Sequence, residues 1–283
     1  MTEYEKGIID YYESCDVDYK IVWHLASSMS MHYGFWEPGV TRLRDALARM
    51  NFKLAEFSGI KYGSSVLDAG CGVGGSSIFL AKNFGCNITG ITLSGKQVVQ
   101  CQLNAGRHNL HHQLHVEVGN YCKTRFADAS FDAIWALESA CYAEEKQVFL
   151  NEAFRLLRPG GILIVADVFR KNLDSQTDKL KLMRLLASTW AIRDFEIVEA
   201  FQEKMKSSGF RQIQWKNVSE NIYPSIRRLH LYYYPGVFCY FFLRATGRRK
   251  MIHRKNLAST LLAYKSFMQD LWTYNFFVGK KDS

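Results

Sequence analysis

The string Val66-Leu67-Asp68-Ala69-Gly70-Cys71-Gly72-Val73-Gly74-Gly75 puts a carboxylate at the end of an apolar run and glycines directly behind it. Glycines there let the backbone turn sharply and approach a ligand closely, as in turns that open a helix beneath a bound nucleotide. Gly70, Gly72 and Gly75 satisfy the G-x-G-x-x-G spacing of dinucleotide-binding folds. That reading requires an acid about 20 residues further on to hold a ribose hydroxyl, yet between Ala69 and Val116 there is no Asp or Glu. An acid just before the turn, with none after it, suits a ligand with a cationic amino-acid end and no pyrophosphate. S-adenosylmethionine fits that description. Gly74 and Gly75 have a competing account in close helix packing, so Asp68 carries the argument.

A second acid, Glu138, stands in Ala136-Leu137-Glu138-Ser139-Ala140-Cys141-Tyr142, where a strand pattern ends and a reactive group would emerge at a sheet edge. An ordinary capping or ion-paired acid is the competing account. His32, beside aromatic residues, reads as a hydrogen-bonded packing histidine and not as a base. His108, His111, His112 and His115 have the spacing of a metal cluster, but they lie where a helix passes through a loop into a strand. No neighbour completes a convincing site, so no metal ligands are assigned.

These residues need a scaffold that alternates strands and helices. The apolar positions Leu43, Leu47, Met50, Leu54 and Phe57 predict an amphipathic helix over 41–57, within a largely helical segment 1–60. Strands are predicted at 65–68, 87–92, 114–118, 131–136 and 161–167, the last after the turn Arg158-Pro159-Gly160, with helices at 76–83, 95–109 and 146–157 between them. Two further strands are predicted at 211–218 and 273–278, the last as an antiparallel edge, with helical or irregular chain at 170–203 and 219–265. The fold class is therefore α/β, a doubly wound, seven-stranded, mostly parallel sheet that binds ligands at the carboxyl ends of its strands. The expected organisation is a helical cap at 1–60, a cofactor-binding core at 61–170, and acceptor-binding helices with the last strands of the same sheet at 171–283.

Four motifs together resemble the class I S-adenosylmethionine-dependent methyltransferases. They are Val66–Gly74, Gly90-Ile91-Thr92-Leu93-Ser94 with Gln97, Ser130-Phe131-Asp132-Ala133-Ile134, and Leu157-Arg158-Pro159-Gly160-Gly161. Within that class the chain resembles the group of sterol, tocopherol and prenyl-diphosphate methyltransferases and cyclopropane-fatty-acid synthases. The resemblance is strongest over 60–170. It implies that Asp68, Gly70 and Gly72 line the methionine end of the cofactor, and that Thr92, Leu93, Ser94 and Gln97 hold the ribose with hydroxyl and amide groups. Asn120 of Gly119-Asn120-Tyr121 would face adenine, where relatives commonly carry an acid. Asp132 reads as a turn-fixing residue outside the site. In the resembling enzymes that methylate an alkene, carboxylates and aromatic faces stabilise and deprotonate a carbocation, a role that would fall to Glu138, Tyr142 and Tyr33. Met31-His32-Tyr33-Gly34-Phe35-Trp36 resembles the aromatic element that closes over the cofactor, with plain core packing as the alternative for Tyr33 and Trp36. The implied reaction is C-methylation of an isoprenoid or lipid acceptor. A cyclopropane synthase, an O- or N-methyltransferase of small molecules, and a non-catalytic binding protein of the same fold are the alternatives.

The charge bears on partners. The net charge is +9, and from Asn221 to Gln269 there is no acid, while Arg227, Arg228, Arg244, Arg248, Arg249, Lys250, Arg254, Lys255 and Lys265 are all cationic. Inside that region Leu231–Leu243 is an aromatic and apolar block too short to span a bilayer. It could be a lid over an apolar acceptor, a segment resting on an anionic membrane, or buried core; the cations could instead meet a diphosphate, and only then would magnesium be expected. Nucleic acid is not expected, because the aromatics form a block instead of alternating with the charges. The N-terminus has no signal-peptide pattern and the seven cysteines are odd in number and scattered, which points to reduced thiols in a cytoplasmic protein, peripheral to a membrane at most. A homo-oligomer is left open.

Overall fold

The computed structural model describes residues 1–174, 177–245 and 251–282. Arg248, Arg249 and Lys250 of the basic segment lie outside the described residues.

Four helices precede the sheet: α1 (Glu3–Ser14), α2 (Asp16–Val22), the single turn α3 (Leu25–Ser28) and α4 (Leu43–Ser58). A capping box starts α1, with the Thr2 hydroxyl accepting from the Glu5 amide and the Glu5 carboxylate accepting from the Thr2 amide. The apolar stripe foreseen on α4 is buried through Leu47, Met50 and Leu54, and Gly59 ends the helix in the left-handed region.

The alternating unit follows as β1 (Ser65–Ala69), α5 (Gly75–Phe84), β2 (Asn87–Thr92), α6 (Gly95–Arg107), β3 (Leu114–Val118), β4 (Phe131–Leu137), α7 (Lys146–Leu156) and β5 (Leu157–Arg170). The chain then runs through α8 (Asp178–Thr189), α9 (Val198–Ser207), β6 (Arg211–Asn217), α10 (Ser219–Ala245), α11 (Met251–Met268) and β7 (Trp272–Lys280). The sheet order is β3-β2-β1-β4-β5-β7-β6, with the first five strands parallel. Connections leave in opposite directions from β1 and β4, so the crevice beyond their carboxyl ends is the topological switch point where ligands bind in such sheets.

The expected fold class is what the chain adopts, with two differences. Strand β7 is antiparallel, as expected, but it is not an edge: it lies between β5 and β6. Tyr274, Asn275, Phe276 and Phe277 are fully buried, and a strand covered on both faces belongs inside a sheet. The edge falls to β6, whose Arg211, Gln212, Gln214, Trp215, Lys216 and Asn217 are exposed. Second, the Arg158-Pro159-Gly160 turn is absorbed into β5 as an irregularity opposite Phe131 and Ala133, with Gly160 at φ 77°. Asp132 pins this corner by accepting from the Ser65 amide and pairing with Arg158, each at 2.8 Å.

Helices α10 and α11 form an antiparallel hairpin. Tyr223 stacks on Phe267 and His230 on Tyr264, while Gly236 packs closely against Leu257. No helix among the described residues is long and apolar enough to cross a membrane.

Candidate active site

Asp68 sits at the end of β1, buried, and its carboxylate accepts from the Ser77 hydroxyl at 2.6 Å. Burial pushes its pKa up to about 6 against the Ser77 hydrogen bonds. Gly70 and Gly72 follow in the left-handed region at φ 94° and 53°. A Cβ on Gly70 would lie 2.5 Å from that of Ser139, so the turn is closed to any larger residue. Gly75 serves packing, because a Cβ there would stand 2.1 Å from the Met29 carbonyl oxygen.

A cavity of about 320 Å³ opens above this turn. All eight residues expected at the cofactor, Asp68, Gly70, Gly72, Thr92, Leu93, Ser94, Gln97 and Asn120, line it. The Thr92 hydroxyl donates to Gln97 Oε1 at 2.6 Å, and Ser94 caps α6 while its hydroxyl donates to Glu13 of α1 at 3.0 Å. Asn120 spends its oxygen on the Cys122 amide at 2.7 Å and donates its amide to Glu5 at 2.6 Å, so the side chain presents less acceptor capacity than its type suggests. Glu5, Ile8, Ile9 and Tyr12 of α1 form one wall of the cavity, and Glu5 brings a carboxylate to Asn120. Sequence reading missed that wall, although Tyr4, Ile8 and Tyr12 recur at helical spacing. The donor set fits S-adenosylmethionine: a buried carboxylate for a cationic end, a cradle of left-handed glycines, and an apolar wall for a base.

A second cavity, of about 370 Å³, adjoins the first. Tyr12, Met31, Glu138 and Tyr142 line both and mark the junction. Glu138 is the central group. It lies just past β4 in the left-handed region at φ 51°, which is uncommon for a residue other than glycine, and its carboxylate stands between the cavities. Its Oε1 accepts from the Tyr33 amide at 2.7 Å and from the Tyr274 hydroxyl at 2.8 Å. Burial nevertheless dominates and pushes its pKa up to about 8, so the carboxyl stands near the point where it can take or give a proton at neutral pH. Among the described residues it caps no helix and pairs with no cation.

Tyr33 lines the second cavity with its hydroxyl buried and without a partner among the described residues. The Tyr142 hydroxyl accepts from that of Tyr12 at 3.0 Å across the junction. His32 is a packing residue: its Nδ1 lies 2.9 Å from the Tyr33 carbonyl oxygen, its Nε2 meets Asn51, and burial lowers its pKa to about 4. Trp36 is packed at the base of α10, its indole donating to Ser225 at 2.8 Å.

Two residues that sequence reading missed bear on the second cavity: Asp167 lines it, and Tyr274, outside its lining, bonds Glu138. Asp167 of β5 accepts from the Cys141 and Val168 amides, each at 2.8 Å, and burial raises its pKa to about 6. Tyr274 reaches Glu138 only because β7 is inserted beside β5. The rest of the lining is largely aromatic and apolar, with Tyr19, Trp23, Trp190, Phe195, Leu229 and Tyr240 in it; Asp18, His253, Asn256, Ser259 and Thr260 are its polar members, and its described residues include no Lys or Arg. Leu231–Leu243 is therefore neither lid alone nor buried core: Gly236 and Tyr240 face the cavity, while Phe238, Phe241 and Phe242 are exposed. Among the described residues no three His, Cys, Asp or Glu gather as a metal-binding group.

The family profile of a methyltransferase domain matches residues 67–165. The chain is 33% identical over 216 residues to 2-methyl-6-phytyl-1,4-hydroquinone methyltransferase of Synechocystis sp., an alignment covering 72% of this chain and 62% of that protein's length. It is 30% identical over 199 residues to methyltransferase GfsG of Streptomyces halstedii, covering 69% of this chain and 71% of the relative. Among solved structures, the [4+2]-cyclase SpnF superposes with a TM-score of 0.78 at 23% identity, over 97% of this chain and 95% of that one. Geranyl diphosphate C-methyltransferase from Streptomyces coelicolor, in complex with Mg2+, geranyl diphosphate and S-adenosyl-L-homocysteine, superposes with a TM-score of 0.75 at 18% identity, over 99% and 98% of the two chains. With its glycine turn, its switch-point cavity and these relatives, the chain belongs to the class I S-adenosylmethionine-dependent methyltransferases.

Proposed function

We propose that the protein methylates carbon on an apolar, isoprenoid-bearing acceptor that carries no diphosphate. The observation that carries this reading is the placement of Glu138, a buried carboxyl at the junction of the cofactor cavity and an aromatic cavity whose described lining has no Lys or Arg. A diphosphate head would need cationic partners there. An isoprenoid chain needs only the apolar walls, and the 2-methyl-6-phytyl-1,4-hydroquinone methyltransferase among the relatives acts, by its name, on an acceptor of that kind.

S-adenosylmethionine supplies an electrophilic methyl group on a sulfonium. The walls hold the acceptor's nucleophilic carbon in line with it and keep water out, which is most of what such a displacement asks of a protein. An acceptor carbon that took this methyl group, with the carbon–sulfur bond pair left on sulfur, would be left cationic. The faces of Tyr33 and Tyr142 then stabilise positive charge, and the Glu138 carboxylate removes the proton that restores neutrality.

The test is incubation with methyl-labelled S-adenosylmethionine and a panel of prenylated hydroquinones, sterols, unsaturated acyl lipids, small phenols and geranyl diphosphate. Label in a carbon–methyl product of a neutral isoprenoid-bearing acceptor supports the reading. Label only in geranyl diphosphate, in small phenols or amines, or in no acceptor despite cofactor binding overturns it.

A further inference from the structure

Helix α10 has two apolar faces. One closes the aromatic cavity through Leu229, Gly236 and Tyr240. The other carries Leu231, Tyr234, Phe238, Phe241 and Phe242; Leu231, Tyr234 and Phe238 follow at spacings of three and four, and Phe241 and Phe242 lie three and four beyond Phe238, so the five form a single stripe. These side chains are from 58% to 77% exposed, Phe238 the most. Apolar stripes of this size on a water-facing helix mark a surface that meets something else.

The charges around the stripe identify its partner. Arg227 stands one turn before Leu231 on the same face, and Arg244, Arg254, Lys255 and Lys265 of the hairpin are exposed. From residue 221 to 269 there is no carboxylate to offset them. A two-fold interface with a second copy would set this cationic face against itself. An anionic bilayer satisfies both halves, with aromatic rings entering the headgroup boundary and cations meeting lipid phosphates and carboxylates.

We propose that the α10–α11 hairpin is a docking surface for anionic membranes, with the exposed stripe of α10 lying in the plane of the interface. This surface is a separate matter from the acceptor: binding to vesicles is read with no turnover at all. It does have a use for an apolar acceptor, because the helix that touches lipid on one face is the wall of the aromatic cavity on the other.

The experiment is flotation of the purified full chain with vesicles of phosphatidylcholine alone and of phosphatidylcholine with roughly one-third phosphatidylserine. The expected result is at least about tenfold more protein floating with the anionic vesicles, an excess that fades as salt screens the charges. Phe238→Ser with Phe241→Ser should lose most of this binding. Arg254→Ser with Lys255→Ser, all at exposed positions where folding is not at stake, should weaken it as well. Equal flotation on both vesicle types, or binding unchanged in both variants, overturns the proposal. So does a dimer that Phe238→Ser dissociates and that ignores vesicles, since the stripe would then belong to a second copy.

Discussion

The Tyr274 hydroxyl donates to Glu138 Oε1 at 2.8 Å, joining the middle of the last strand to the residue just past β4. With the Tyr33 amide on the same oxygen, the carboxyl is oriented by two donors while Oε2 is left for the cavity. Those donors favour the ionised form, but burial outweighs them and the pKa stands at about 8.

Glu138→Gln should lower methyl transfer by roughly a hundredfold while leaving S-adenosylmethionine affinity within about twofold, because amide and carboxyl occupy the same space. In the native protein kcat/KM should rise with pH and level off above about 8, as the proton-accepting carboxylate forms. Initial rates across pH and calorimetric titration with the cofactor check both. Loss of cofactor binding in step with turnover would place Glu138 in the cofactor site instead.

The same group has a stability signature. Its folded pKa of about 8 lies above the ordinary 4.5, so the folded state holds a proton that the unfolded chain has released. Its effect on stability is therefore absent near pH 4 and grows unfavourable as pH rises from 4.5 through 8. Glu138→Gln should melt above the native protein at pH 8, with the gap closing toward pH 5. A gap that widens at low pH would mean the carboxyl is ion-paired.

Asp68→Asn should weaken S-adenosylmethionine binding by about ten- to a hundredfold, the worth of a charge-assisted hydrogen bond in a buried place. With the Asp68 pKa at about 6 before the cationic ligand arrives, native affinity should fall as pH drops below 6. Titration calorimetry at several pH values tests this, and a flat profile would remove Asp68 from the ammonium end.

Two glycines should respond oppositely to alanine. Gly70 has φ 94° and a Cβ there would meet Ser139, so Gly70→Ala should cost about 2 kcal/mol or more. Gly106, in α6 with ordinary φ and nothing within 4 Å, should gain about 0.5 kcal/mol as alanine. Chemical denaturation reads both, and equal shifts would contradict the geometry.

Tyr33→Phe removes a buried hydroxyl that has no partner among the described residues. Stability should hold or rise slightly, whereas KM for the acceptor should rise by about fivefold, the worth of one hydrogen bond. A drop in melting temperature with unchanged kinetics would make the hydroxyl structural.

Much of this was legible in the sequence, for local reasons. The glycine turn, the alternating strands and the helix spacings are patterns within a few residues of one another, and they place Asp68 and Glu138 at strand ends on one sheet edge, while Thr92 and Gln97 come from the resemblance to the methyltransferases. The position of β7 is legible too: Tyr274-Asn275-Phe276-Phe277-Val278 carries a large apolar side chain on each face, which suits an inner strand better than the edge that its closeness to the terminus suggests. What could not be read is what arrives from afar. Glu5 meets Asn120 across 115 positions and Tyr274 meets Glu138 across 136, and no local period announces either pair.

The insertion of β7 between β5 and β6 also sets an order of events. Strand β6 has no partner until residues 272–280 arrive, two helices later, so this half of the sheet closes through a long-range pairing of the slow kind. Only at that closure does Tyr274 come to rest on Glu138. The last pairing in the sheet thus does two jobs at once, closing the edge of the fold and setting the second donor on the carboxyl between the cavities.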